Sequence, residues 1–408
     1  MDDKAPRTER RRGRGVRAGL RRHGLSPRPL AIRELIREQG LRFTAGNRVT
    51  LFRSGRPALE SMLTAIGSAE HYVHLETYIL RSDQTGWRFA EALIGRAREG
   101  VAVRVLYDAV GSLGIGPEIV GRMRDAGADV VAFNPVGRLY PRWLPRRRDH
   151  RKILSVDGRL AFAGGLNIGD EYWGGELEGE RWRDTHLCIE GPAVRDLGAV
   201  FLESWFRADG PGLGWQELLE ATPAPVGDVR CAVVPDGPAY HRRRMRELLI
   251  EGLGSAEDEV YLASPYLAPG RRVLRVLSES GRRVRVHLVL AGKTDHPVLR
   301  RAAHALLPRL LSAGVGVYEY EAAIMHAKVA LFDRRWSIVG SSNLDRQSFD
   351  HSYEVNLVLD GGDVADRIRA MFEDDLQNSR RVDHAALASR GPWSRFIDRV
   401  SALVLPII

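Results

Sequence analysis

Five residues recur at one spacing in two places along this 408-residue chain. His150, Lys152, Asp157, Gly164 and Asn167 form the first set. His326, Lys328, Asp333, Gly340 and Asn343 form the second, each 176 residues further on. Five identities at a constant offset without a gap are very improbable by chance. The chain therefore reads as two copies of one unit, and a fold that stacks or pairs two similar halves is the first expectation.

The repeat extends on both sides of these sets. Val73-His-Leu-Glu-Thr-Tyr-Ile79 is similar to Val260-Tyr-Leu-Ala-Ser-Pro-Tyr266, and Val103-Arg-Val-Leu-Tyr107 to Val284-Arg-Val-His-Leu288. Ala126–Val131 matches Ala313–Tyr318, and Asp184–Glu190 matches Glu354–Asp360 at an offset reduced to 170. The first copy thus carries about six extra residues, expected in the Tyr172–Glu180 loop. Residues 57–69, 86–99, 242–252 and 296–312 have apolar residues at helical spacing, and they alternate with short runs such as Val101–Leu106 and Val284–Leu290. Alternating strands and helices point to an α/β fold, here two similar α/β lobes. The expected divisions are a basic N-terminal tail and leading helix at 1–44, a first lobe at 45–210, a second at 228–380 and an amphipathic segment at 381–408. The Gly- and Pro-rich stretch Ala208–Gly227 is read as the link.

The repeated residues have a chemistry in common. In an extended strand, residues two apart face the same side, so His150 pairs with Lys152 and His326 with Lys328. A neutral imidazole is a nucleophile and proton shuttle near neutral pH. An ammonium beside it clamps a phosphate oxygen, and Asn167 and Asn343 can add amide donors. Two copies brought face to face would set a nucleophile and a general acid on opposite sides of one phosphorus. Asp157 and Asp333 lie five residues past their lysines, beyond the expected strand end, and are expected to make structural bonds. Asp184 and Glu354, at matching repeat positions on a later strand, are better placed to accept a histidine Nδ1 proton and fix the tautomer. Metal binding is disfavoured because the ammonium groups would repel a cation and no further ligands are spaced for one. No cofactor is expected.

Composition bounds the rest. The chain is 44% hydrophobic and 28% charged, as folded domains are. Cys188 and Cys231 are its only cysteines, which excludes a disulfide framework and a Cys-based zinc site. Of the net charge of +9, +6 lies in residues 1–24, with nine Lys/Arg against three Asp/Glu. That tail lacks the apolar run of a signal peptide, and no window of about 18 apolar residues marks a membrane span. Three segments have the composition of membrane-surface contacts. They are the basic tail, the Arg138–Arg148 stretch with Tyr140 and Trp143, and the C-terminal run Trp393–Ile408 with Phe396, Ile397, Val400, Leu403 and Val404 at helical spacing. A solvated arm, a basic loop at the rim of the site and a helix docked on the protein are the plainer readings of the three. The glycine cluster Gly111–Gly116 does not match a dinucleotide-binding pattern and is read as a loop.

HxKxxxxD followed by a Gly/Ser turn and Asn, present twice, resembles the signature of the phospholipase D superfamily. That resemblance implies two phospholipase D-like lobes related by pseudo-twofold symmetry with the active site at their interface, a covalent phosphohistidine and no metal. The motif residues carried over are His150, Lys152, Asp157, His326, Lys328 and Asp333, with His150 as nucleophile and His326 as acid. Within the superfamily, Asp108–Ser112, Asp149–Lys152, Asn167–Tyr172, Trp182–His186, Ser264–Tyr266 and Asn343–Phe349 resemble bacterial cardiolipin synthases, over residues 45–375. Many members of that group begin with two transmembrane helices, and this chain is similar to the branch without them. The likeness implies phosphatidyl transfer, cardiolipin formation from two phosphatidylglycerol molecules with release of glycerol, and a peripheral place on the cytoplasmic face of a bacterial membrane. Anionic phospholipid is the expected partner and nucleic acid is not. A lipid phosphodiester hydrolase and, less well supported, a nuclease of the same superfamily are the alternatives. A protein that binds without catalysing is disfavoured because both motifs are intact.

Overall fold

The computed structural model describes residues 31–135, 147–174, 182–212, 223–238, 243–389 and 391–404. The basic tail at 1–24, most of the Arg138–Arg148 stretch, the greater part of the Tyr172–Glu180 loop and Leu405–Ile408 lie outside the described residues.

The strands of the first half are β1 (Thr44–Phe52), β2 (Tyr72–Thr77), β3 (Ala102–Asp108), β4 (Asp129–Phe133), β5 (Ile153–Val156), β6 (Leu160–Gly164), β7 (Trp182–Arg183) and β8 (His186–Glu190). Those of the second are β9 (Val229–Asp236), β10 (Glu259–Ser264), β11 (Leu267–Ala268), β12 (Arg285–Lys293), β13 (Gly316–Met325), β14 (Val329–Phe332), β15 (Trp336–Gly340), β16 (Leu344–Asp345), β17 (Glu354–Asp360) and β18 (Ser379–Val382). All but β11 and β16 join one mixed sheet. Its order β4-β3-β2-β5-β6-β8-β1 is mirrored by β13-β12-β10-β14-β15-β17-β9, and the two halves meet where β1 pairs with β9. The repeat seen in the sequence is thus a pseudo-twofold repeat of topology. In each half a parallel trio (β2, β3, β4 or β10, β12, β13) is linked by crossover helices. The motif-bearing hairpin (β5–β6 or β14–β15) pairs antiparallel with its first strand.

The strands are buried on both faces, which explains their near-continuous apolar runs. Helices Gly55–Gly67 and Gln84–Arg98 cover one face of the first half through Leu59, Ile66, Phe89 and Leu93. Helices Arg244–Ser255 and Gly270–Gly281 cover the second through Leu248, Leu249, Val273 and Leu277. A further core runs through both halves, joining Ile153 and Leu187 to Val233 and Leu357, so the two halves share buried apolar surface.

Two boundaries differ from the sequence reading, and the leading helix takes a place that reading left unassigned. The expected helix at 296–312 is two helices, Pro297–His304 and Leu307–Ser312, because Pro308 cannot donate an N–H to a continuing helix and disfavours helical geometry before it. The leading helix Ala31–Glu38 packs on the second half, not the first. Ile32 and Ile36 enter its core, and Arg33 pairs with Asp360. The division expected at residue 380 falls inside β18, which pairs with β13.

The C-terminal helix Pro392–Val404 docks on Pro297–His304, with Asp398 buried and 3.6 Å from Arg301. Its other face is apolar and open: Trp393, Phe396 and Val400 are 72%, 54% and 42% exposed. No described helix is long and apolar enough to cross a membrane.

Candidate active site

The two motifs sit where the halves exchange short strand contacts. His150 and Lys152 lie in the extended lead-in to β5 rather than inside a strand, and His326 to Lys328 link β13 to β14. The lead-in to β5 pairs with the other half. Asp149 bridges Tyr353, the His150 N–H donates to the Tyr353 carbonyl at 2.9 Å, and the Tyr353 N–H donates to Arg148 at 2.8 Å. The same exchange occurs on the opposite side, where β7 pairs with the end of β13 and the His326 N–H donates to the Arg183 carbonyl at 2.7 Å. The next residue after each partner is an acid, Glu354 after Tyr353 and Asp184 after Arg183.

Each histidine therefore meets the acid of the other half. His150 Nδ1 is 3.0 Å from Glu354 Oε2, and His326 Nδ1 is 2.6 Å from Asp184 Oδ2. A carboxylate only accepts, so each Nδ1 carries the proton and Nε2 is left for chemistry, while Lys328 Nζ, 2.9 Å from His326 Nδ1, donates to the His326 carbonyl. The acids are fixed in turn. The Ser341 hydroxyl donates to Glu354, and the Thr185 N–H donates to Asp184 at 2.7 Å. Gly165 takes the place that Ser341 holds in the second copy. A Cβ there would lie 2.0 Å from Asp184 Oδ1, so the glycine is what lets the acid reach past its own strand end.

Both histidines, both motif asparagines, Arg148 and the aromatic residues Tyr78, Tyr172, Trp182 and Tyr266 line one cavity of ≈ 1190 Å³. Tyr78 sets its ring edge-on to His150 at 4.8 Å, and Lys152 Nζ lies 5.1 Å from the centre of that ring. Tyr172 and Trp182 flank His326 at 5.7 and 4.9 Å. Asn167 donates to the Tyr172 hydroxyl at 2.6 Å and accepts from the Ile79 N–H at 3.2 Å. The buried Asn343 Oδ1 has no partner among the described residues.

Charge in the site is set by burial and by the partner across the interface. Burial lowers the His150 imidazole below its ordinary value against the pull of Glu354. Burial, then the Lys328 ammonium, lowers His326 to about 4. Burial brings Lys152 down to about 7 and Lys328 to about 8. Burial would raise both acids, yet Asp184 is held low by Lys328 and His326, and Glu354 by His150 and then Lys152. Near pH 7 the site holds two neutral imidazoles, two carboxylates and two ammonium groups at or near their titration points. A phosphodiester anion placed among them would raise the histidines and lysines together.

Asp157 and Asp333 stand apart from this cluster. Each follows its strand in the left-handed region, at φ 51° and 49°. Asp157 accepts from the N–H groups of Glu70, His71 and Tyr72, and Asp333 from those of Glu257, Asp258 and Glu259. Neither lines the cavity. The structure thus brings together His150, Lys152, Asn167, Asp184, His326, Lys328, Asn343 and Glu354. It leaves Asp157 and Asp333 tying the motif hairpin to the start of β2 and β10. Tyr78, Tyr172, Trp182, Tyr266 and Ser341 had no role assigned from sequence. Tyr78, Tyr266 and Ser341 lie within the repeated stretches, and Tyr172 and Trp182 within the stretches that resemble bacterial cardiolipin synthases, which was the one signal for them.

Comparison with known proteins agrees with this geometry. The sequence profile of the family described as "Cardiolipin synthase, PLD-like domain" matches residues 62–203 and 249–376, one match in each half. Cardiolipin synthase 1 of Bacillus anthracis is 33% identical over 397 residues, covering 94% of this chain and 77% of that protein. The cardiolipin synthase of Alkalihalophilus pseudofirmus is 34% identical over 358 residues, 87% of this chain and 71% of that protein. Among solved structures, phosphatidylserine synthase of Haemophilus influenzae superposes with a TM-score of 0.71 at 12% identity, over 92% of this chain and 100% of that one. Polyphosphate kinase of Porphyromonas gingivalis superposes with a TM-score of 0.56 at 15% identity, over 83% and 49%. These two share the fold. With its duplicated motif and two profile matches, the chain belongs to the cardiolipin synthase family of phospholipase D-like proteins.

Proposed function

We propose that this protein joins two phosphatidylglycerol molecules into cardiolipin and glycerol through a phosphohistidine. The observation that carries this reading is that both oriented histidines line one cavity larger than the roughly 300–1,000 Å³ usual for a single small ligand. The cavity also has an apolar arm at Leu274, Val298, Leu299 and Leu306 that suits lipid chains.

In the first half-reaction His150 Nε2 attacks the phosphorus. A P–N bond forms, the bond from phosphorus to the glycerol oxygen breaks, and His326, protonated at Nε2 once the phosphodiester anion has raised it, gives that oxygen its proton. In the second, a headgroup hydroxyl of another phosphatidylglycerol gives its proton to His326. Its oxygen attacks phosphorus and the P–N bond breaks. The 2.6 Å bond to Asp184 supports His326 as the proton carrier, since a close carboxylate stabilises the imidazolium. Lys152, Lys328, Asn167 and Asn343 hold the phosphoryl oxygens as charge shifts onto them. The reading includes a peripheral position on an anionic membrane surface, for which the open Trp393–Phe396–Val400 face gives support.

The test is incubation of the full chain with phosphatidylglycerol vesicles and product analysis by mass spectrometry. Cardiolipin with an equal amount of glycerol is expected. Phosphatidic acid as the sole lipid product would assign hydrolysis instead.

A further inference from the structure

We infer that Asp295, held by Tyr266, forms a polyol-binding subsite in the second-half wall of the cavity, which selects a glycerol headgroup as the accepting alcohol. The inference rests on the transfer reading above and names what that reading leaves open, the group that tells one acceptor from another.

The two halves differ most at this point. In the first, Asp108 ends β3 and is fully spent. It accepts from the N–H groups of Val110, Gly111 and Asp149 at 2.9 Å each and from Arg148 at 3.3 Å. In the second, strand register places Ala291 where Asp108 stands, since Thr77 pairs with Tyr107 as Ser264 pairs with Leu290; Val103 thus corresponds to Val286, two residues beyond the match with Val284 read from the sequence. The chain then runs on through Lys293 to Asp295 and straight into the helix Pro297–His304, whereas the first half leaves β3 at Asp108 for the loop of residues 109–116. Asp295 lines the cavity with its side chain 29% exposed. Tyr266 donates its hydroxyl to the two oxygens at 3.0 and 3.1 Å. Its other polar neighbours among the described residues are Thr294 Oγ1 at 3.5 Å and His296 Nε2 at 3.4 Å. No backbone N–H among the described residues donates to it. A carboxylate has about four acceptor positions, so capacity is left over and faces the cavity.

The surroundings decide what fills that capacity. Arg148, Arg271 and Arg346 line the same cavity, and the charge of Asp295 reaches Lys328. An ammonium headgroup would enter against these cations. A neutral polyol would not. The glycerol headgroup of phosphatidylglycerol keeps two free hydroxyls, so the one on its middle carbon can donate to Asp295 while the terminal one attacks phosphorus.

The experiment gives the full chain phosphatidylglycerol vesicles with equal amounts of deuterated glycerol, 1-propanol and ethanolamine, and reads the three exchanged lipids by mass spectrometry. The wild type is expected to favour glycerol. Asp295→Ala is expected to lower the glycerol-to-propanol ratio about tenfold or more, with propanol transfer changed by less than about twofold, the scale of a lost hydrogen bond to a charged group. Asp295→Asn, which keeps the size of the side chain, and Tyr266→Phe are expected to move the ratio in the same direction by less. An unchanged ratio in Asp295→Ala, or propanol transfer falling in step with glycerol, would overturn the subsite. So would a wild-type preference for ethanolamine that Asp295→Ala abolishes. Cardiolipin formed without any glycerol exchange would overturn the subsite alone, and a wild type that makes neither cardiolipin nor any of the three lipids would overturn the transfer reading and the subsite with it.

Discussion

His150, from the first half of the chain, hydrogen-bonds through Nδ1 to Glu354, from the second half, at 3.0 Å. The reciprocal bond joins His326 to Asp184 at 2.6 Å. Neither half can orient its own histidine, so the chemistry requires both halves assembled. Glu354→Gln is expected to lower kcat by about 10³-fold or more, on the scale of acid-to-amide changes in catalytic triads, because the amide can donate to Nδ1 and favour the wrong tautomer. KM and the melting temperature should change little. Steady-state kinetics together with a thermal melt check this.

Gly165 predicts an effect of the same kind from a residue that never touches substrate. A methyl group there would lie 2.0 Å from Asp184 Oδ1, and Asp184 would have to leave His326. Gly165→Ala is expected to lower kcat by roughly 10²-fold through loss of the orienting acid. The His326 titration followed by NMR should shift at the same time. Normal kcat in this variant would mean that Asp184 has another route to the histidine.

Asp157 predicts the opposite pattern, a loss of stability with the chemistry kept. It accepts three backbone N–H groups at the start of β2, and Arg159 lies 2.7 Å away. These bonds hold its pKa below the ordinary value although burial raises it. A depressed carboxylate contributes stability above its unfolded pKa of about 3.9 and loses that contribution as pH falls through the folded value. Asp157→Asn is expected to cost about 1–3 kcal/mol in denaturant unfolding at pH 7, and less as pH drops below about 4. Turnover per folded molecule should stay near wild type.

The lysines set a pH limit. With Lys152 at about 7 and Lys328 at about 8, phosphate binding weakens as pH rises through those values and the ammonium groups are lost. The alkaline limb of kcat/KM should therefore fall between pH 7 and 8, and that of kcat should lie at higher pH, because bound phosphodiester favours the charged lysines. On the acid side His150 must be neutral, and its lowered pKa places that limb below the ordinary value of about 6.5. Profiles measured on vesicles of fixed composition test both limbs. A kcat/KM flat to pH 10 would remove the lysines from phosphate binding.

Much of this was legible in the sequence because the repeat is written in chemically distinctive residues. His, Lys and Asn at a fixed offset of 176 marked the site, and Asp184 and Glu354 stood out as acids at matching positions. The exchange of acids between halves was not legible. Sequence separation allows His150 to meet Asp184 as readily as Glu354, and the choice follows from tertiary pairing of Asp149 with Tyr353 and of β7 with β13. The second-half wall of the cavity was hidden for another reason. Asp295 lies in the short bend between β12 and the helix Pro297–His304, outside every repeated segment, so no repeat pointed to it. Pro308 did carry a readable signal, a break in the apolar period of 296–312.

Trapping the covalent intermediate tests the central claim most directly. His326→Ala, mixed with phosphatidylglycerol vesicles and quenched in alkali to preserve a P–N bond, would be digested and mapped by mass spectrometry. The phosphatidyl group is predicted on the peptide that carries His150, accumulating in His326→Ala and absent from His150→Ala. The group on the His326 peptide of His150→Ala would reverse the two roles, and no phosphohistidine in either variant would contradict the account.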